Sequence, residues 1–167
     1  MLILTCVVGV LLSLLVYFYS PPRIAIHFNY QGFPNGWMNK NNNLILWIML
    51  YLLITGLYLS INYFLKGTST RLMKYSGKEI SLNPEEKEEK VWLISNHIFK
   101  LGATCNLFFI VLQLTIFRVN IHKEPRLNIA TVNVIIGLFL FYITIWIVQL
   151  YKKIKRLQKG KLSNYSG

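Results

Sequence analysis

Charge is scarce in this sequence, and one kind of charged residue is missing. Only 14% of the 167 residues are charged, whereas about a quarter is usual for soluble domains, and 54% are hydrophobic. Aspartate does not occur, and the 6 acidic residues are all glutamate, against 18 lysines and arginines. This composition excludes an ordinary soluble domain and predicts an integral membrane protein. Because the basic residues flank apolar runs, they indicate membrane topology and not a nucleic-acid partner.

Cysteine motifs and catalytic motifs are also missing. Cys6 and Cys105 both lie in apolar segments without metal-ligand spacing, so we interpret them as packing residues and expect no metal or other cofactor. The motifs Ser-x-x-Lys, His-Glu-x-x-His and Gly-x-Ser-x-Gly do not occur, so an enzyme with catalytic residues is not expected. No acidic residue lies within an apolar run, which leaves a proton-coupled pump without its usual relay group.

Four apolar runs are each about 20 residues long, the length that a helix needs to cross the hydrocarbon core. The runs are Leu2 to Tyr19, Leu44 to Leu65, Ile98 to Phe117 and Ile129 to Tyr151. No basic segment precedes the first run and no small-residue cleavage site follows it, so we expect a retained anchor. The predicted fold class is therefore an all-α integral membrane protein with four transmembrane helices.

Lysine and arginine are divided unevenly among the connections, and cytoplasmic loops are the ones that carry the excess. Most of them lie in the middle connection and the C-terminal tail, and few lie in the other two connections. We therefore expect both termini in the cytoplasm. The connection between the first two spans and the one between the last two then face outward.

The middle connection, residues 66–97, predicts a cytoplasmic stem helix before the third span. Asn83 suits the N-cap, Pro84 suits the first helical position, and Glu85 and Glu86 suit the positive end of the helix dipole. The simplest interpretation of the charged residues that follow Pro84 is a solvated helix face without a partner. The chain then divides into residues 1–65, 66–97, 98–151 and a basic tail, 152–167.

The connection between the first two spans, residues 20–43, predicts a structured outer loop. Apolar and polar residues alternate in it, with Ile24, Ile26 and Phe28 on one side and Ala25, His27 and Asn29 on the other. Two turn sequences follow, and we expect positive φ at Gly36. Asn43 is the expected cap of the second span. Because ordered loops of this length are usually functional or folded back, we expect a lid over the outer end.

The stretch PPRIAIHFNYQGFPNGWMNK resembles the signature of bacterial membrane proteins with the domain of unknown function 1648, a domain also found at the front of SdpI-like immunity proteins. The matching residues are Pro22, Ile24, His27, Phe28, Asn29, Gly32, Pro34, Gly36 and Trp37. Ala25 stands where proline is common and Asn35 stands where aspartate is common. The resemblance implies a non-enzymatic protein of the bacterial cell membrane, associated with immunity to a toxic peptide.

The resemblance also implies a recognition site for a peptide or partner on the outer loop. Its candidate residues are His27, Phe28, Asn29, Phe33 and Trp37, and the residues that shape the loop are Pro22, Gly32, Pro34 and Gly36. Aromatic rings supply apolar contact in such sites, and polar side chains supply hydrogen bonds. Two alternatives remain: these residues only fasten the loop, or His27 joins His122 and Glu124 in a zinc site, although the spacing does not demand one.

Small and amide side chains recur at helical spacing within the spans, a pattern that favours contacts between helices. The three sets are Thr5, Gly9 and Ser13; Gly102, Asn106 and Gln113; and Asn133, Gly137 and Thr144. Two functions remain open at this point. One is recognition of a peptide toxin at the outer face, and the other is a partner-dependent subunit or scaffold that contacts a membrane protein through its stem and tail.

Overall fold

Helices make up most of the fold, and one hairpin of two strands joins the first two helices. The computed structural model describes residues 1–75 and 84–164. Its elements are α1 (Leu2–Tyr19), β1 (Arg23–Phe28), β2 (Pro34–Asn39), α2 (Lys40–Tyr75), α3 (Pro84–Asn120) and α4 (Ile129–Asn164). The two strands pair with each other in an antiparallel sheet. We call the end of the bundle that carries them the hairpin end.

Four of these helices are long and apolar enough to cross a membrane, which confirms the predicted number of spans. The apolar segments are Leu2–Tyr19, Lys40–Lys66, Val91–Asn120 and Ile129–Lys153. Each predicted span lies inside one of these segments. The chain is therefore a multi-pass membrane protein.

The stem and the third span are one continuous helix, because α3 begins at Pro84 and ends at Asn120 without a break. The predicted N-cap residue, Asn83, lies outside the described residues. Helix α2 also extends beyond its apolar segment: the segment ends at Lys66 and the helix ends at Tyr75.

Helices α1, α2 and α3 pack against one another, whereas α4 packs only against α3 within the described part of the chain. The contact with α3 is aromatic. The rings of Phe108 and Phe139 stack with 4.1 Å between centroids, and Trp146 Nε1 donates to the His97 carbonyl oxygen at 3.1 Å. No residue of the most apolar window of α4 is buried. Helix α4 is therefore peripheral to the three-helix core.

Amide side chains of α3 hydrogen-bond to both neighbouring helices inside that core. Asn106 Nδ2 donates to the hydroxyl groups of Thr5 at 3.3 Å and Thr55 at 3.2 Å. The Gln113 side chain accepts from the Tyr51 hydroxyl at 2.9 Å and donates to Ser13 at 3.0 Å. Because lipid offers no hydrogen bonds, these pairings satisfy groups that would otherwise be costly to bury.

The expected helix contacts through small residues hold for the first two sets and not for the third. Gly9 lies directly under the Tyr51 ring, and Gly102 lies under the Tyr58 ring. By contrast, the set on α4 is exposed, and a Cβ on Gly137 would meet nothing within 4 Å. The exposed members of that set are Asn133, Gly137 and Thr144. The prediction was wrong there because α4 uses another face, with Phe139 and Trp146, to contact α3.

We predict that Gly9→Ala destabilises the bundle by about 1–3 kcal/mol, the usual cost of overpacking a core. An added Cβ at Gly9 would lie 2.7 Å from the Tyr51 ring, and both partners are held in the core. The control is Gly56→Ala in α2, where a Cβ meets nothing within 4 Å. Unfolding free energies measured in the same detergent test this. If Gly9→Ala lowers the unfolding free energy no more than Gly56→Ala does, the close packing of Gly9 against Tyr51 would be contradicted.

Candidate functional site

The connection between α1 and α2 is a hairpin with an irregular register. Arg23 pairs with Asn39 and Phe28 with Pro34, and the register shifts on both sides of His27. Ile24 and Ala25 are consecutive and are both buried, so the predicted alternation ends there. Placing Ala25 on the exposed side with His27 was wrong, because Ala25 is fully buried whereas His27 is exposed.

Asn120, the last residue of α3, holds β1 on the end of the bundle. Its side-chain oxygen accepts from the Ala25 N–H at 2.7 Å, and its amide nitrogen donates to the Ala25 carbonyl at 3.0 Å. Asn120 is 5% exposed and Ala25 is fully buried. This residue was missed by the sequence reasoning, although it lies seven positions after Gln113 and therefore on the same face of α3.

The tip of the hairpin is a turn closed by Asn29 and docked on the connection between α3 and α4. Asn29 Oδ1 accepts from the backbone N–H groups of Gln31 at 3.0 Å and Phe33 at 2.9 Å. Gly32 has a φ of 83°, and its carbonyl oxygen accepts from the Leu127 N–H at 2.8 Å. A Cβ on Gly32 would lie 2.0 Å from the Leu127 carbonyl oxygen, so both conformation and space require glycine.

Two of the predicted local roles were wrong. Gly36 does not have positive φ; its role is space, because a Cβ there would lie 2.8 Å from the His27 Cβ across the hairpin. The cap of α2 is Asn39, whose Oδ1 accepts from the Asn42 N–H at 2.8 Å, and not Asn43. Asn43 is buried and accepts from Trp47 Nε1 at 3.2 Å.

The outer face of the hairpin carries several of the predicted recognition residues. Asn35, Trp37 and Asn39 are exposed at alternate positions of β2. Asn35 hydrogen-bonds to Nδ1 of His27 across the hairpin. If the Asn35 oxygen is the acceptor, Nδ1 carries the proton and Nε2 remains able to accept. Trp37 is 48% exposed, so a large apolar surface stands beside these polar groups.

The other predicted recognition residues lie at the tip or are partly buried. Phe33 is 47% exposed, and the Arg126 guanidinium lies over its ring at 4.8 Å from the centroid. Phe28 and Asn29 are half-buried, and the Asn29 oxygen is already used by the turn. Of the loop-shaping residues, Pro34 pairs with Phe28, and the Pro22 carbonyl accepts from the Lys40 N–H at 3.1 Å.

A polar pocket of about 460 Å³ lies between the hairpin tip and the start of α4. We call it the tip pocket; its lining includes Tyr30, Gln31, Arg126 and Asn128. Asn128 also caps α4, since its Oδ1 accepts from the Thr131 N–H at 3.2 Å. Sequence reasoning missed this pocket because its two walls are almost a hundred residues apart.

The alternative of a zinc site receives no support from the geometry. Across residues 1–75 and 84–164, no three side chains of the metal-binding types His, Cys, Asp and Glu come together. His27, His122 and Glu124 therefore do not form a ligand set in this structure.

The hairpin lies within the part of the chain that matches a known family. Residues 4–54 match the family described as Domain of unknown function (DUF1648). The matched segment includes most of α1, the whole hairpin and the first part of α2. Comparisons with curated proteins and with solved structures each found no match.

We predict that Asn120→Ala loosens the hairpin and lowers the unfolding free energy by about 2 kcal/mol or more, since it leaves two buried backbone groups of Ala25 unpaired. The matched control is Asn42→Ala, which removes an exposed amide at the same end of the bundle. Limited proteolysis between Pro21 and Lys40, together with unfolding in detergent, measures both effects. Equal behaviour of the two variants would show that Asn120 does not hold the hairpin.

Proposed function

We propose, starting from the match of residues 4–54 to DUF1648, that the chain protects a bacterial cell membrane by recognising an amphipathic or apolar peptide. The hairpin is the recognition element, and no bond is made or broken. The observation that carries the proposal is that Trp37 and His27 are exposed on a hairpin whose strand β1 is hydrogen-bonded to Asn120 of α3. A rigid base reduces the entropy lost when a ligand binds.

The chemistry of this face suits a peptide with both apolar and polar groups. Trp37 and Phe33 supply exposed aromatic surface, and aromatic side chains dominate many recognition sites. The His27 ring supplies a hydrogen-bonding group beside that surface. Asn29 and Phe28 contribute mainly by supporting the turn and the strand from below, since both are half-buried.

This function requires the hairpin on the outer side, with both termini in the cytoplasm. The bias of lysine and arginine toward the middle connection and the tail supports that orientation. We expect a cytoplasm-active reporter fused after Gly167 to be active, and an exterior-active reporter at the same position to be silent. The control inserts the same reporters in the connection near Lys123, where the signals should exchange. An exterior signal at Gly167 would contradict the orientation.

We predict that cells producing the intact chain outlive cells producing a His27→Ala, Trp37→Ala variant when challenged with a panel of secreted amphipathic peptides. The double variant removes the imidazole and the largest exposed ring of the hairpin face. The matched control is Trp92→Ala, which removes an exposed indole outside the hairpin. Abundance and unfolding of all proteins must be equal for the comparison.

Two outcomes of this challenge would contradict the proposal in different ways. If the intact chain and the double variant protect equally, recognition does not proceed through the hairpin face. If the intact chain protects against no peptide of the panel, a partner-dependent subunit or scaffold becomes the better account.

That second candidate is favoured by one observation on α4. Asn133, Gly137 and Thr144 are exposed on a helix whose span carries no buried residue in its most apolar window. Polar residues within spans usually face protein, and small residues allow close approach of another helix. A membrane protein partner packed on this face would explain their presence.

A further inference from the structure

The tip pocket has the electrostatic character of a site for an anion. Arg126 contributes a permanent positive charge to its lining, and no lining residue is acidic. Among the residues whose side chains the structure describes, Arg126 makes no ion pair with a carboxylate. Glu124, the acidic residue of the same connection, is exposed and is not part of the lining. The charge of Arg126 is therefore available to a ligand.

Arg126 belongs to the connection between α3 and α4, and its side chain also contacts the hairpin. Its guanidinium lies over the Phe33 ring, 4.8 Å from the centroid, an arrangement that stabilises a cation against an aromatic face. The backbone bond between Leu127 N–H and the Gly32 carbonyl, 2.8 Å long, holds the two walls together. The pocket is thus bounded on both sides by anchored backbone.

The pocket opens at the start of α4, whose most apolar window carries no buried residue. The apolar segment of α4 begins at Ile129, so Arg126 lies three residues before the expected edge of the hydrocarbon. Ala130 lines the pocket, and Val134 and Leu138 follow it at four-residue intervals on one helix face. Both are more than half exposed, at 60% and 65%.

We propose that the tip pocket binds the phosphate group of an anionic phospholipid whose acyl chain lies along the Ala130–Val134–Leu138 face of α4. Arginine is well suited to phosphate because its planar group donates two parallel hydrogen bonds. Headgroup phosphates lie at the level where an apolar span ends, which is the level of Arg126. The site shares Phe33 with the proposed peptide-recognition surface but uses neither His27 nor Trp37, so the two proposals can be tested separately.

The test measures retention of phosphatidylglycerol by the purified full chain in detergent, using native mass spectrometry. Arg126→Gln should weaken binding roughly tenfold, as expected for the loss of one charge-assisted contact. Arg126→Lys keeps the charge but loses the paired hydrogen bonds, so its binding should lie between that of the intact chain and that of Arg126→Gln. Lys123→Gln is the matched control, because it removes one charge from the same connection outside the pocket. Thermal unfolding without lipid confirms that all four proteins are folded.

A second arm distinguishes the source of the phosphate. Inorganic phosphate at millimolar concentration should displace little of the bound phosphatidylglycerol, because it lacks the acyl chain that contacts α4. Three results would overturn the proposal. They are equal retention by the Arg126→Gln and Lys123→Gln proteins, displacement of the lipid by inorganic phosphate alone, and retention of the lipid by none of the four proteins.

Discussion

The pairing of amide side chains on one face of α3 is the constraint on which the rest of the structure depends. Asn106, Gln113 and Asn120 follow one another at intervals of seven residues, so they point in one direction along the helix. Asn106 and Gln113 bond to α1 and α2, and Asn120 bonds to β1 of the hairpin. Unpaired polar groups are costly in lipid, and these bonds therefore specify how the three helices and the hairpin fit together.

The sequence was sufficient for the spans and for much of this core. Apolar length alone predicted the four helices, and four-residue spacing predicted the contacts of Gly9 and Ser13 with their neighbours. The hairpin was harder, because Ala25 is bonded to Asn120, almost a hundred residues away, and because the register is irregular at His27. Local turn preference likewise could not show that Gly36 is required for space near His27.

The proposed function assigns different roles to the base of the hairpin and to its exposed residues. The base of the hairpin is bonded to α3 through Asn120, and the tip is bonded to the next connection through Leu127. The exposed face carries Trp37 and His27, which the base leaves free to contact a ligand. The connection before α4 contributes Arg126 to the tip pocket, and α4 itself contacts α3 through Phe139 and Trp146. The proposed peptide and lipid sites would thus be neighbours on the same hairpin and would share Phe33.

The most direct test of this account is amide hydrogen exchange at Ala25 in the intact chain in a bilayer mimic. If Asn120 holds the hairpin on the bundle, the Ala25 N–H should exchange slower than the exposed amide of Glu124 by a factor on the order of 100 or more. Protection should be similar at Leu127, whose N–H bonds to Gly32. Exchange at Ala25 as fast as at Glu124 would mean that the hairpin opens freely. The claim that Asn120 holds the hairpin on the bundle would then be wrong.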